Sequence, residues 1–205
     1  AAPAPAPGPG GMLRQGRPQD ARAVAGVYLA AWREHGRELL AGGQPGAGAE
    51  PTKLGPEALA QQAERFEAQL RSGERRFLVA GAPGEEVVPG NGGAEGELCG
   101  FLSYGPSLTL PEFGEVMQLY VHPAWQRRGI GSRLLHAAWQ EMARQPWAAA
   151  GSHVWCTRGN PGNRVYSCMG WAPTGREKSL LPTLSASPVE VAEYRAPSAA
   201  PPPAG

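Results

Sequence analysis

Residues 121–135 read VHPAWQRRGIGSRLL and are the most informative segment of the chain. A predicted strand, Glu115–Val121, ends just before Pro123, and a predicted helix with apolar residues at helical spacing starts at about Gly129. The turn between them carries Gln126, two arginines and two glycines. Amides at the N-terminus of a helix, together with the positive end of the helix dipole, bind phosphate groups. The segment therefore predicts a strand–turn–helix unit that binds an anion.

The glycines of this turn separate it from other phosphate-binding motifs. Gly129 and Gly131 lack Cβ atoms, so an anion can approach the main chain closely. The third glycine of the dinucleotide-binding fingerprint is missing, because Arg133 and Leu134 follow, and no Gly-Lys-Ser/Thr closes a P-loop. A nucleotide-binding domain that uses the same turn is a competing interpretation, although no second nucleotide motif supports it.

The elements on both sides of this unit predict a mixed sheet flanked by helices. They are, in chain order, a strand at Met12–Arg14, a helix that Asp20 caps, a helix over 56–72, strands at Phe77–Ala80, Leu98–Tyr104 and Glu115–Val121, a helix at about Gly129–Arg144, a strand at His153–Thr157, a short helix at about Gly162–Met169, and strands at about Trp171–Lys178 and Val189–Arg195. This β-α-α-β-β-β-α-β-α-β-β order favours an α/β or α+β fold with one β-α-β crossover.

The composition limits the domain organisation. The chain of 205 residues fits one domain, which we expect over 12–195. Residues 1–11 and 196–205 are rich in Ala, Pro and Gly and predict disordered tails, and residues 41–50 and 81–96 predict loops.

Charge, cysteines and hydropathy exclude several functional classes. A net charge of +1 argues against a nucleic-acid binder, which needs a basic surplus. The three cysteines, Cys99, Cys156 and Cys168, lie far apart, so neither a disulfide framework nor a metal site is expected. No apolar run approaches the roughly 20 residues that span a bilayer, and the N-terminal residues lack the features of a secretory signal. We therefore expect a cytoplasmic protein with no membrane contact.

Two motifs resemble one family of enzymes. The spacing Q-x-x-G-x-G over Gln126–Gly131, preceded by LYVHP, resembles the coenzyme A signature of the GNAT N-acyltransferase superfamily. Residues 160–171, NPGNRVYSCMGW, resemble that family's second signature, N-x-x-A-x-x-F-Y-E-x-x-G-F. Tyr166 and Gly170 match it identically, Ser167 replaces its Glu, and Asn160 falls one residue after its Asn. Residues 12–33 also resemble the opening strand and helix of the family.

The resemblance implies acetyl-coenzyme A as co-substrate, without a metal. In the family, the strand before the turn separates from the next strand at a bulge, and the pantetheine arm lies in the gap. The implied coenzyme A-binding residues are Leu119, Val121, Gln126, Arg127, Arg128, Gly129, Ile130, Gly131, Ser132 and Asn160.

The resemblance also implies a general acid and a general base. Tyr166 matches the family's tyrosine that gives a proton to the leaving thiolate, and a core aromatic on the short helix is the alternative. Glu115 lies eleven residues before Gln126, near the catalytic glutamate of the histone-acetylating branch, and would accept the proton of the amine directly or through water. An exposed residue at the start of a strand is the alternative for Glu115. Weaker candidates for the base are Glu112, His122 and His153.

The acceptor remains open at this stage. Tyr28, Trp32, Tyr104 and Trp155 are candidates for the walls of an acceptor pocket, although aromatics at helical spacing also typify a core. Small amines, amino acids, amino-sugar antibiotics, peptide N-termini and protein lysines all fit, and a homodimer is equally open. The alternative within the fold is an acyl-coenzyme A sensor or interaction module without turnover.

Overall fold

The computed structural model describes residues 12–41, 54–82, 98–180 and 188–198, with side chains for all of these except 35–41. The tail predicted at 1–11, nearly all of the loops predicted at 41–50 and 81–96, and residues 199–205 of the second tail lie outside the described residues.

Seven strands form one mixed sheet, flanked by helices on both faces. The strands are β1 (Leu13–Gln15), β2 (Arg76–Gly81), β3 (Leu98–Pro106), β4 (Phe113–Val121), β5 (Gly151–Thr157), β6 (Ala172–Leu180) and β7 (Val189–Arg195). Their order in the sheet is β1-β2-β3-β4-β5-β7-β6; β4 and β5 pair in parallel, and the other described pairs are antiparallel. The helices are α1 (Ala21–Ala41), α2 (Pro56–Ser72), α3 (Ile130–Met142) and α4 (Arg164–Cys168). The predicted order of elements and the predicted fold class are confirmed.

Two hydrophobic clusters cover the two faces of the sheet. On one face, α3 buries the residues that its periodicity predicted, namely Ile130, Leu134, Leu135, Ala138 and Met142. Gly114 of β4 allows α3 to approach the sheet, since a Cβ there would lie 2.8 Å from the Met142 sulfur. On the other face, α1 and α2 pack Val24, Trp32 and Phe66 against β2 and β3. No helix in the described part of the chain is long and apolar enough to cross a membrane.

Asp20 fixes the junction between β1 and α1. Its carboxylate accepts two hydrogen bonds of 2.7 Å from the Arg14 guanidinium and a third of 2.7 Å from the Arg17 amide. Burial raises the pKa of Asp20, but the bonds from Arg14 and Arg17 outweigh burial, and the net pKa lies below the usual value. Asp20 therefore ends the short 3₁₀ turn Pro18–Asp20 and holds β1 to it, rather than capping α1 through its side chain alone.

Asp20→Asn should lower the free energy of unfolding by about 1.5–3 kcal/mol at pH 7, the usual contribution of a hydrogen bond to a charged group. Because the folded-state pKa lies below the unfolded one, the carboxylate stabilises the protein above pH 3.8 and loses this effect as the pH falls through the folded pKa. Urea unfolding of both proteins over this pH range measures the difference. The control is Glu67→Gln, which removes the exposed Arg71–Glu67 pair and should cost no more than about 0.5 kcal/mol. A loss in Asp20→Asn as small as in the control would contradict this prediction.

Candidate active site

The strands β4 and β5 separate halfway along their length. Their parallel pairing runs from Phe113↔Gly151 to Val116↔Val154 and stops there, although both strands continue. On its other edge, β4 pairs with β3 through Ser103↔Gln118 and then Tyr104↔Val116, which leaves Met117 as an extra residue. Such a β-bulge bends its strand and increases its twist. The bulge therefore coincides with the point at which the sheet opens.

The opening forms a cavity of about 610 Å³. One wall is Met117–Val121 of β4, and the other is Val154–Thr157 of β5. Gly129–Ser132, at the start of α3, and residues 160–166, which lead into α4, close one side. Ala31, Trp32 and Glu34 of α1 also line the cavity. The cavity therefore extends from the N-terminus of α3 to the first helix.

The turn before α3 presents backbone amides without partners. Within the described residues, the amides of Arg127 to Ser132 donate no backbone hydrogen bond, and the Arg133 amide, which bonds to the Gly129 carbonyl at 3.0 Å, is the first to do so. Gly129 adopts φ +78°, in the left-handed region that favours glycine, and a Cβ there would meet nothing within 4 Å. Unpaired amides, a helix dipole and open space together form a site for an anion.

Side chains shape this turn from within. Gln126 Nε2 donates to the Val121 carbonyl at 3.2 Å, which ties the turn to the end of β4. His122 Nδ1 accepts from the Ala124 amide at 3.3 Å, which gives His122 a structural role in the turn. Arg127 lines the cavity, whereas the Arg128 guanidinium stacks on Trp125, 4.6 Å from the ring centre, and is not part of the cavity wall. The Arg128 side chain therefore lies outside the cavity wall, although the Arg128 amide belongs to the turn described above.

Asn160 lines the cavity, but its side chain already has a partner. Its Oδ1 accepts from the Gly162 amide at 2.8 Å and caps a short 3₁₀ turn. Asn163 Nδ2 donates to the Thr157 carbonyl at 2.7 Å and so connects the same turn to β5. The sequence did not single out Asn163.

Tyr166 lines the cavity with its ring held in the core. It is 6% exposed and packs against Trp171 and Tyr194, each at a centroid distance of 5.9 Å. Its hydroxyl makes no hydrogen bond to another described residue. Burial, with smaller effects from Cys156 and Tyr120, raises the pKa of Tyr166 far above its ordinary value. The phenol therefore carries its proton at neutral pH.

Cys156 lies on the β5 wall of the same cavity. Burial raises the pKa of its thiol to about 12, so a thiolate at this depth is a strong base. The sequence predicted neither a disulfide nor a metal site for this cysteine and gave it no role in a cavity. Its strand, HVWCT, gave no indication that this face borders the cavity.

Glu115 lies just before the opening and is not part of the cavity wall. Its Oε2 accepts from the Ser107 hydroxyl at 2.9 Å and lies 3.5 Å from His153 Nε2, the residue opposite it on β5. Burial raises the pKa of Glu115, but bonds from His153 and Ser107 outweigh burial, and the net pKa is lowered. The carboxylate is therefore ionised at neutral pH.

The four aromatic residues predicted for the acceptor pocket divide into two groups. Trp32 and Trp155 line the cavity. Tyr28 is buried behind the wall, in edge contact with Tyr120 at 5.1 Å. The prediction that Tyr104 lines the pocket is wrong. Its ring lies in the cluster under α3, and its hydroxyl bonds to Glu141, away from the cavity.

Tyr120 and Glu34 of the cavity wall also escaped the sequence analysis. Tyr120 lies on β4 next to Leu119, and strand alternation alone does not predict that both neighbours reach the cavity. Glu34 is the one carboxylate among the described lining residues. Glu34 follows Trp32 by two residues, and this closeness to a predicted pocket residue was the one indication in the sequence that Glu34 could line the cavity. The described residues contain no group of three or more His, Cys, Asp or Glu side chains that could hold a metal.

Comparisons with known proteins point to one family. Residues 74–173 match the model of the acetyltransferase (GNAT) domain. No curated protein sequence matches the chain significantly.

Several solved structures share the fold. An N-acetyltransferase from Staphylococcus aureus Mu50 is 16% identical, with a TM-score of 0.61 and coverage of 90% of this chain and 96% of that chain. A putative acetyltransferase from Salmonella typhimurium, solved with its cofactor acetyl-CoA, is 18% identical, with a TM-score of 0.59 and coverage of 94% and 98%. Arabidopsis thaliana NAA60, in complex with a bisubstrate analogue, is 16% identical, with a TM-score of 0.58 and coverage of 90% and 96%.

Proposed function

The chain belongs to the GNAT acetyltransferase superfamily, and we propose that it transfers an acetyl group from acetyl-coenzyme A to a primary amine by direct attack in a ternary complex. The observation that carries this proposal is one continuous cavity that is lined both by the N-terminus of α3 and by the buried Tyr166. A pyrophosphate would lie on the amides of Arg127 to Ser132, with Arg127 adding positive charge. The pantetheine arm would then run along the open edge of β4.

The backbone of β4 supports the thioester in this proposal. Beyond Val116, the edge of β4 that faces the gap has no strand partner among the described residues. Leu119 and Val121 would contact the arm through their backbone groups, and one of their amides would donate to the oxyanion that develops on the thioester carbonyl. A donor fixed in a sheet needs no reorganisation during the reaction.

Tyr166 is the proposed general acid. An ordinary phenol, with a reference pKa of about 10, is a weaker acid than a thiol near 8.5, so proton transfer to a thiolate in water would be unfavourable. Burial acts on both partners of this transfer, and it raises the pKa of the neighbouring Cys156 thiol to about 12. A coenzyme A thiolate released beside Cys156 would experience the same loss of solvation and become a stronger base. Burial raises the pKa of the Tyr166 phenol as well, so the phenol remains the weaker acid, and its hydroxyl would assist by donating a hydrogen bond to the departing sulfur as negative charge develops there.

Glu115 is the proposed proton acceptor for the amine. Since it lies one residue pair before the opening, it would act through a water molecule or after the acceptor reaches past Met117. Its lowered pKa keeps it ionised at neutral pH, where it would attract a protonated amine and take its proton.

Glu115→Gln should lower turnover at pH 7 by roughly a hundredfold, the lower range for loss of general base catalysis. The loss should shrink as the pH approaches the pKa of the amine, because the acceptor then arrives already deprotonated. The measurement is a pH–rate profile for the variant and for Glu112→Gln, which removes a neighbouring exposed carboxylate as the control. Profiles for Glu115→Gln and wild type that coincide would remove Glu115 from the mechanism.

The function itself is tested by a screen of amines with acetyl-coenzyme A, in which release of free thiol reports turnover. The panel should include small amines, amino acids, amino sugars, peptides with free N-termini and lysine peptides, because the acceptor class is open. Acetylation of any of these supports the proposal. Acetyl-coenzyme A binding without turnover across the panel would favour a sensor or interaction module with the same fold.

A further inference from the structure

Two charged or titratable side chains lie fully buried in the sheet beside the cavity. His153 of β5 and Glu193 of β7 are both 0% exposed. Taking ionisable groups out of water costs several kcal/mol for each ion unless partners compensate. The transfer reaction as described above uses neither of them.

These residues form a continuous chain with Glu115. Ser107 Oγ lies 2.9 Å from Glu115 Oε2 and 2.8 Å from His153 Nε2, so the hydroxyl bridges the carboxylate and the imidazole. On the far side of the ring, His153 Nδ1 lies 3.2 Å from Glu193 Oε1. The order Glu115, Ser107, His153, Glu193 therefore leads from the paired residues next to the opening into the interior of the sheet.

Glu193 is held by several further groups. Thr174 Oγ1 donates to its Oε2 at 2.8 Å, and the Arg176 guanidinium lies 3.5 Å from the same oxygen. Arg195 Nε lies 3.3 Å from its Oε1. The pairing of β6 with β7 shifts register between Pro173 and Glu177, and this irregularity contains both Thr174 and Arg176. The sheet is thus deformed at the place where it supports the carboxylate.

The environment of His153 is otherwise apolar. The ring edges of Phe113 and Trp155 face it at centroid distances of 6.0 and 6.5 Å. The polar and charged groups that face it from the elements packed around it are Ser107 from the β3–β4 loop, Glu115 from β4 and Glu193 from β7, with Arg195 and Arg176 behind Glu193. Two carboxylates therefore flank one imidazole, and a hydroxyl bridges it to one of them.

We propose that Ser107, His153 and Glu193 form a proton relay behind Glu115, an inference that rests on the proposed role of Glu115 as acceptor of the amine's proton. The ammonium gives its proton to the Glu115 carboxylate. The Ser107 hydroxyl, which donates to Glu115 before the transfer, then turns towards His153. It takes the proton from Glu115 and passes its own proton to the unprotonated Nε2 of the Nδ1–H tautomer of His153, which leaves Glu115 ionised and creates an imidazolium. The charge of Glu193, whose Oε1 lies 3.2 Å from His153 Nδ1, stabilises the imidazolium. The reverse path returns the proton to solvent after the products leave.

The relay would compensate for the weak basicity of the Glu115 carboxylate. A carboxylate is a weak base towards an amine, and an ordinary imidazole is more basic by about two pKa units. Moving the proton one step inward also restores the negative charge at Glu115 while the acetyl group is transferred. His153 and Glu193 touch neither reacting group, so they are positioning residues that act through Glu115.

Two variants break the relay at different atoms. His153→Gln keeps a polar side chain but cannot carry the proton, and Ser107→Ala removes the bridging hydroxyl. Each should lower kcat at pH 7 by about tenfold, a part of the general base effect, and leave the KM for acetyl-coenzyme A unchanged. The deficit should close as the pH rises towards the pKa of the amine. Ser107→Thr retains the hydroxyl and should restore the wild-type profile.

The control is Ser152→Ala, a substitution of the same kind at a buried serine on the opposite face of β5 from His153. Its pH–rate profile should match that of the wild type.

A purely structural role for the network predicts a loss of turnover that is equal at every pH, together with a lower melting temperature and no rescue by Ser107→Thr. That result would overturn the relay. Wild-type profiles in both His153→Gln and Ser107→Ala, alongside a pH-dependent loss in Glu115→Gln, would overturn the relay but leave the proposed function intact. Failure of the wild-type protein to acetylate any amine would instead count against the function.

Discussion

Gly129→Val should weaken the binding of acetyl-coenzyme A by about a hundredfold, which corresponds to about 2.8 kcal/mol. The cause is local, because a side chain at this position enters open space at the turn whose amides, at residues 127–132, donate no backbone hydrogen bond. Each hydrogen bond from such an amide to a charged phosphate contributes about 1.5–3 kcal/mol, so loss of one or two of them accounts for the effect. Titration calorimetry with acetyl-coenzyme A measures it directly.

Backbone strain requires a matched control for this variant. Gly129 has φ +78°, so any L-residue there is strained, and the strain alone would destabilise the fold. Gly73 at the end of α2 has φ +68° and equally open surroundings, but lies outside the cavity wall. Gly73→Val should therefore show a similar fall in melting temperature with unchanged affinity. Equal affinity in folded Gly129→Val and wild type would reject the anion site.

Much of the architecture follows from local patterns in the chain. The helix over 56–72 has the bounds that the sequence predicted. Pro56 suits its first turn, and in the structure Gly73, in the left-handed conformation, ends it. The buried face of α3 follows from its apolar periodicity. The strand–turn–helix at 121–135 follows from Pro123 and Gly129, whose backbone preferences act within a few residues. The short helix predicted at 162–169 is a 3₁₀ turn followed by α4.

The opening of the sheet could not be read from the sequence itself. It depends on which residues of β3 and β5 lie opposite Met117, and such pairing is a tertiary property. The family resemblance implied a bulge but did not locate it. Tyr104 was misplaced for a similar reason, since every residue of β3 before Pro106 is buried and the strand shows no alternation that would separate its two faces.

One signal of the buried network was present in the sequence. Val189, Val191 and Glu193 share one face of β7 because alternate residues of a strand point to the same side. Two apolar residues followed by a carboxylate on a face that reaches the core indicate a charge that needs buried partners. Its partner His153 was considered only as a packed residue or a weak base candidate, since their pairing again depends on the strand order of the sheet.

Tyr166→Phe should lower turnover by about a hundredfold, roughly 3 kcal/mol of activation free energy, while the affinity for acetyl-coenzyme A and the melting temperature stay close to wild type. The ring remains, so its contacts with Trp171 and Tyr194 remain. The hydroxyl bonds to no other described residue, so its removal leaves no protein group without a partner. The matched control is Tyr194→Phe, which removes the same atom from the adjacent ring outside the cavity wall and should leave turnover unchanged.

The acidity of the leaving thiol distinguishes general acid catalysis from other roles of Tyr166. If the phenol protonates the departing thiolate, a thioester whose thiol is more acidic needs less help, and the deficit of Tyr166→Phe should shrink with that substrate. A deficit that stays constant across thioesters would assign Tyr166 to positioning, and parallel losses of activity and melting temperature would assign it to the core. Because burial raises the pKa of Tyr166 far above neutrality, the phenol stays protonated throughout the accessible pH range. The ratio of wild-type to variant turnover should accordingly be independent of pH from 6 to 9, unlike the ratio for Glu115→Gln, which falls as the pH rises.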